Sequence, residues 1–219
     1  MKLFTAVLFL VLFACAPKPA PQTPQGKAIA PELKGMGEMT FNATAQRPDA
    51  VKFVRQGLAL VYAFNHDEAA RAFREAARLD PNCAMAYWGL ALALAPNIND
   101  PIPAPEREQE AFEAIGKARS LAAQAPESER AYIDALAKRF SSEKGKDRLT
   151  LNKAYAAAMK EVALKYPNDP DAQVLYADSI MNTMPWQYWG KDGRARPEIP
   201  PVIELIERTM SRWPDHTGA

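Results

Sequence analysis

Two cysteines, Cys15 and Cys83, and two histidines, His66 and His216, are all the chain has of either type in 219 residues. No Cys-x-x-Cys, His-x-x-x-His or Gly-x-Ser-x-Gly occurs, so the familiar spacings for metal ligation and for an activated nucleophile are missing. Gly35-Met36-Gly37 is not followed by the spacing a phosphate loop needs. His66 and Cys83 flank a helix expected to run about 14 residues, or ~21 Å. Ligand bonds of ~2.0–2.3 Å cannot bridge that distance, so the two do not share a metal. Carboxylates are plentiful, but they fall on helix faces expected to be wet. With no nucleophile–base arrangement in view, the chain reads as a non-enzyme without a cofactor. Charge of one sign is lacking too. Lys and Arg number 27 against 26 Asp and Glu, which argues against a nucleic-acid partner.

Long apolar runs are scarce. One stands at the start, Leu3 to Ala14, behind the single charge of Lys2. Twelve residues span about 18 Å, short of a ~30 Å hydrocarbon core, so residues 1–14 read as a secretory signal. The run ends Leu12-Phe13-Ala14-Cys15, which resembles a bacterial lipobox. That resemblance implies diacylglycerol on the Cys15 thiol, cleavage before it, and acylation of the new amine. Two or more acyl chains give stable anchoring where one is marginal. Ala16 follows rather than Asp, which by resemblance to enterobacterial sorting implies the outer membrane, facing the periplasm. Removing residues 1–14 takes away Lys2 and leaves 26 basic against 26 acidic side chains. Cys83 is then the one free thiol, with no intramolecular disulfide available, and is expected to be a small buried hydrophobe.

From Cys15 to Gln46 the chain lacks any apolar period. CAPKPAPQTPQGK alternates proline with polar residues and predicts polyproline II or disorder. About 30 such residues reach roughly 30 Å, enough to hold a folded part clear of a lipid surface.

What is there, in abundance, is helical periodicity. FNHDEAARAFREAARLDPNCAMAYWGLALAL, residues 64–94, is a helix, a turn with proline, and a second helix. Ala69, Phe73 and Ala76 recur at helical spacing, as do Tyr87, Leu90, Ala91 and Leu94. Such a hairpin cannot bury both faces alone, which implies stacked copies. Four units follow. The first runs from Pro48 to Asp80, with Ala50, Phe53, Gly57 and Leu60 on one face of its leading helix, and Asn65 and Glu68 as a capping pair for the next. The second joins a helix from Cys83 to Ala95 with one from Arg107 to Ala123, across the insertion PNINDPIPAPE. The third pairs Ser128–Phe140 with Leu149–Tyr166, whose stripe is Tyr155, Met159, Val162 and Tyr166. The fourth pairs Pro170–Asn182 with Pro201–Arg212. Unit ends fall at Pro81, Pro126, Pro167 and Pro214, 41 to 47 residues apart.

In Gly57, Ala69, Phe73, Ala76 and Pro81, continued by Tyr87, Leu90 and Ala91, the first unit and the next helix resemble a tetratricopeptide repeat. Later units depart from the pattern through insertions and through Tyr155 and Val202, where a small residue is usual. The resemblance implies that residues 47–219 are all-α, a right-handed superhelical solenoid of antiparallel helix pairs with about four repeats. FNHDEAARAF, DPNCAMAYWGLALALAPNIN, PWQYWGKDGR and WPDHTGA further resemble a group of largely uncharacterised bacterial tetratricopeptide proteins. Chains of that type continue into histidine-containing repeats, which implies further repeats and a polar capping helix beyond Ala219.

In such repeats the inner side of the leading helices binds peptides. That frame places Val54, Leu58, Tyr62, Met85, Trp88, Ala177 and Met181 in the groove, mainly apolar and aromatic. The Lys/Asn cluster that clamps a C-terminal carboxylate in chaperone-type members is missing. A second candidate is MPWQYWGKDGRARPE, residues 184–198, where Trp186, Tyr188 and Trp189 cluster beside Lys191, Arg194 and Arg196. Aromatic plus Arg is the composition of interface hot spots, and equally of a loop whose tryptophans plug an inter-helix gap. The function expected is a lipid-anchored envelope scaffold that holds a protein or peptide. The alternative is a metal- or cofactor-handling envelope protein whose ligands lie in further C-terminal repeats.

Overall fold

A computed structural model describes residues 26–36, 39–143 and 145–219. The expected signal, Cys15 and the first part of the proline-rich stretch lie outside the described residues. The fold is all-α. Eight α-helices follow in order among the described residues: α1 Pro48–Tyr62, α2 His66–Leu79, α3 Ala84–Leu94, α4 Pro105–Leu121, α5 Glu127–Ala137, α6 Arg148–Lys165, α7 Pro170–Met181 and α8 Ile199–Arg212. None of them is long and apolar enough to cross a membrane.

Starts and stops follow local chemistry. Proline opens α1, α4 and α7, where a missing N–H costs nothing. The Asp147 carboxylate accepts from the Thr150 N–H, and Asp169 accepts from the Asp171 and Ala172 N–H groups. The capping pair expected at Asn65 does not form. Asn65 precedes α2, but its side chain makes no capping bond.

Each helix packs on the next from α1 to α8, and α1 also touches α3, as α3 does α5. The knob of the first pairs is Phe73 on α2, fully buried. It presses into two sockets that only glycine leaves open. A Cβ on Gly57 of α1 would lie 2.7 Å from the Phe73 ring, and one on Gly89 of α3 would lie 1.9 Å from it. Three helices are thereby locked by one ring and two missing methyl groups. Helix α3 is apolar all round, and all of its residues except Tyr87 are buried among α1, α2, α4 and α5. The stripe expected on α6 is present in Tyr155, Met159 and Val162, with Tyr166 half-buried past its end.

The segment before α1 corrects the reading of a disordered tether up to Gln46. Residues 26–36 and 39–46 lie against the helices, with Ala30 and Phe41 buried. They contain no regular element. Their N–H groups are satisfied by side chains: Ile29 donates to Glu75 at 2.7 Å, Leu33 to Gln56 at 2.8 Å, Thr44 to Glu129 at 2.6 Å, and Gln46 to Asp80. In return Arg71 donates to the Ile29 carbonyl, Gln56 to the Pro31 carbonyl and Arg55 to the Phe41 carbonyl. Order comes from isolated anchors and side-chain-to-backbone bonds, neither of which has a period to read.

Candidate partner-binding groove

Helices α1, α3 and α5 touch in succession, and an aromatic of α3 meets one of α5. Trp88 from the middle of α3 lies against Tyr132 from the middle of α5, ring centroids 5.6 Å apart at 65°. Into this corner the chain inserts its own Phe41. The ring stacks on Trp88 at 5.4 Å and 13°, and meets Tyr132 edge-on at 5.6 Å and 70°. Offset stacking and edge-to-face contacts are the favoured arrangements for aromatic quadrupoles. Trp88 keeps only 1% of its surface exposed.

Four of the expected groove residues are buried in the core rather than open to solvent. Val54, Leu58, Met85 and Trp88 are all fully buried. Tyr62 and Met181 are half-buried and Ala177 is buried. These three line a cavity of about 280 Å3 at the C-terminal ends of α1, α3 and α7.

The polar parts of the groove hold backbone. Glu129 presents one carboxylate oxygen to Thr44 and keeps the other buried without a partner. Burial pushes its pKa above the ordinary value, against the Thr44 hydrogen bonds that pull it down. Glu75 is held below the ordinary range, chiefly by the hydrogen bond from Arg78 and further by the Ile29 N–H. The far side is fastened by phenols. The Tyr132 hydroxyl donates to Asp169 and the Tyr62 hydroxyl to Asp171, each at 2.7 Å. His216 meets the same Asp171 oxygen at 3.1 Å.

Phe41, Tyr132, Gln56, Glu75, Asp80 and Glu129 escaped the sequence reading. Tyr132 was open to discovery, since the third leading helix could be searched for an aromatic on the face that carries Trp88. The carboxylates carry no such signal, because on a helix a ligand for backbone N–H looks like any solvated acid.

The loop candidate is built differently. Trp189 bridges Ala195, Gly190 donates to the Arg194 carbonyl, and Gly193 turns the chain with φ +75°. Trp186 is 70% exposed and Trp189 55%, with Arg194 and Arg196 also exposed. The tryptophans do not plug a gap. Trp189 meets its neighbour Tyr188 at 6.3 Å, and Arg196 reaches Gln187 at 3.3 Å.

Cys83 is buried, and its thiol is pushed up to about 12 by that burial, which leaves it unreactive at neutral pH. His66 stacks on Phe64, with centroids 6.0 Å apart, at the start of the helix that Cys83 follows. No group of three His, Cys, Asp or Glu among the described residues could hold a metal ion. No protein-family profile, curated protein or solved structure matches this chain.

Proposed function

We propose that this protein is a tetratricopeptide-type scaffold that captures an extended protein segment by an aromatic anchor, tethered to the cell envelope by lipid on Cys15. In this reading the helix pairs form a right-handed superhelical solenoid. The glycine-socketed Phe73 and the side-by-side leading helices support that architecture. The observation that carries the function is the chain's own segment 39–46, seated as a ligand would be. One aromatic side chain fills the Trp88–Tyr132 corner, and flanking N–H groups are taken by Glu129 and Asp80. Main-chain contacts supply affinity without sequence, and a pocket for one large rigid ring supplies specificity. The groove's anchors are neutral, and side-chain charges nearly balance over the whole chain, so capture should depend weakly on salt.

The test is binding in trans. A peptide with the sequence of residues 39–46, MTFNATAQ, is titrated into the full chain and into Phe41→Ala while Trp88 fluorescence is followed. The emptied corner should accept the peptide, the filled one should resist it, and a peptide with Ala for Phe should bind neither. Failure of the native peptide to bind the Phe41→Ala chain, with its helix content intact by circular dichroism, would refute the groove reading. The anchor is tested separately. An alkyne fatty acid should label the wild type and not Cys15→Ser, and equal labelling of both would remove the lipid tether.

A further inference from the structure

The cavity at the C-terminal ends of the leading helices is separate from the Phe41 seat. Its walls are apolar, from Val61 on α1, Leu92 on α3, Ile98 in the insertion, Val174 and Leu175 on α7, and Ile206 on α8. Into this lining the fold places an arginine. Arg139 follows α5 and is 1% exposed, among the largest buried side chains. A buried guanidinium is expensive unless its donors are met. Nε donates to the Asn152 side chain at 3.0 Å, and the group lies 5.1 Å over the Tyr155 ring. Asn152 in turn donates to the Asn182 carbonyl, and the Asn182 amide donates to the Asp178 carboxyl, both at 2.9 Å. This chain of bonds fixes the arginine. It leaves Nη2 buried and without a hydrogen-bond partner among the described residues.

Asp178 also lines the cavity, yet it forms no ion pair with Arg139. Burial pushes its carboxyl above the ordinary value, and the same burial lowers the pKa of the Arg139 guanidinium. The other polar groups on the wall are Tyr62, whose hydroxyl is committed to Asp171, His66, whose Nδ1 is buried and without a partner among the described residues, and Asn97.

We infer that this cavity is a binding site for a small monocarboxylate with an apolar body, its carboxylate taken by Arg139 Nη2 and its hydrocarbon part by the walls from α1, α3, α7 and α8. A space of about 280 Å3 lies at the lower end of ligand pockets, which suits a compact acid. A phosphate dianion is disfavoured, because it would bring two charges to one free donor beside a carboxyl group. With Nε committed to Asn152 and Nη2 without a partner, Arg139 keeps charge-assisted N–H donors for a single carboxylate.

The experiment compares three probes of one length on the full chain: hexanoate, hexanamide and hexylamine, by calorimetric titration and by the shift in melting temperature. Hexanoate should bind about tenfold or more tighter than its amide, since only the acid makes a charge-assisted bond to Arg139. Arg139→Gln should remove that preference while the hydrocarbon contacts persist. Ala177→Leu, which puts bulk into the cavity and leaves the arginine in place, should weaken acid and amide alike. If Arg139→Gln does not fold, the acid-to-amide ratio of the wild type and the Ala177→Leu result decide the matter. Equal binding of acid and amide, tighter binding of the amine, no binding of hexanoate at millimolar concentration, or full binding by Ala177→Leu would each overturn the assignment.

Discussion

Of the eleven residues of α3, all but Tyr87 are buried, whereas of the fourteen of α8 only Ile199, Val202 and Thr209 are. The difference is the number of neighbours. Helix α3 lies among α1, α2, α4 and α5, and α8 packs chiefly on α7. An amphipathic helix with one neighbour leaves Ile203 and Met210 at 42% and 48% exposure, while a central one must be apolar on every side. Helical stability in a protein comes mostly from tertiary packing of apolar faces. It is therefore concentrated where interfaces are densest, around Phe73 and Trp88. The Trp88–Tyr132 corner occupied by Phe41 belongs to this densely packed region.

The sharpest way to break that contrast is to remove its centre. Phe73→Ala should cost about 3–5 kcal/mol, because it empties the contact shared by α1, α2 and α3. Gly89→Ala should also destabilise, since its Cβ would fall inside the ring. Combined with Phe73→Ala it should cost much less than the sum, because the clash partner is gone. Urea unfolding of the three variants makes the cycle. Additive costs would mean that the sockets are not what fixes the ring.

Phe41→Ala should come next, at about 2–3 kcal/mol, from lost burial plus the aromatic pairs. Its effect is local as well as global. The amides of Ile29, Leu33 and Thr44 should exchange faster, and proteolysis should appear within residues 26–46 while α3 stays protected. The same truncation on the sparse side, Val202→Ala, should cost only about 1–2 kcal/mol by urea unfolding. A cost equal to that of Phe73→Ala would show that α8 is as tightly integrated as α3.

These comparisons also show what the sequence made legible. Helix existence was readable, because Ala69-Phe73-Ala76 and Tyr155-Met159-Val162 repeat at 3.6 residues. Trp88 was expected on the groove-facing side of its helix, and its burial against Phe41 was not readable. Phe41 is one aromatic in a polar stretch, separated from Trp88 by 47 positions, and nothing local marks it as an insert. The Arg139 site was equally hidden. Arg139, Asn152, Asp178 and Asn182 come from three separate helix ends and faces, and only folding brings them into one chain of bonds.

Acidity should have a smaller effect. Burial raises the carboxyls of Asp178, Asp169 and Glu129 above their ordinary values. A raised acid favours folding fully below its unfolded value, and that contribution is lost as pH rises through the folded value. Glu75 has the opposite sign. Its lowered value gives stability above the unfolded value that is lost as pH falls through the folded one. Melting temperature should therefore rise as pH drops from neutral toward the ordinary carboxyl range, then fall at lower pH. Asp178→Asn keeps an acceptor for Asn182 and should flatten the rise. An unchanged profile in that variant would place the titration elsewhere.

The smallest effect on stability is expected at the loop, and there the smallness is what makes the test informative. Trp186 and Trp189 are mostly exposed, so Trp186→Ala with Trp189→Ala should move unfolding by no more than about 0.5 kcal/mol each. Arg194 and Arg196 to Gln should do no more, being exposed as well. A surface loop that keeps two tryptophans in water is an interface candidate that a fold control cannot confuse with packing. Trp88 is the reverse, since any change there disturbs the core and the seat of Phe41 together. Crosslinking capture of partners by the full chain distinguishes the two. If the groove is the site, the four loop substitutions leave capture intact, and Phe41→Ala increases it by emptying the Trp88–Tyr132 corner. If the loop substitutions abolish capture while melting is unchanged, the binding surface is the tryptophan hairpin, and Phe41 is only a staple that closes the groove.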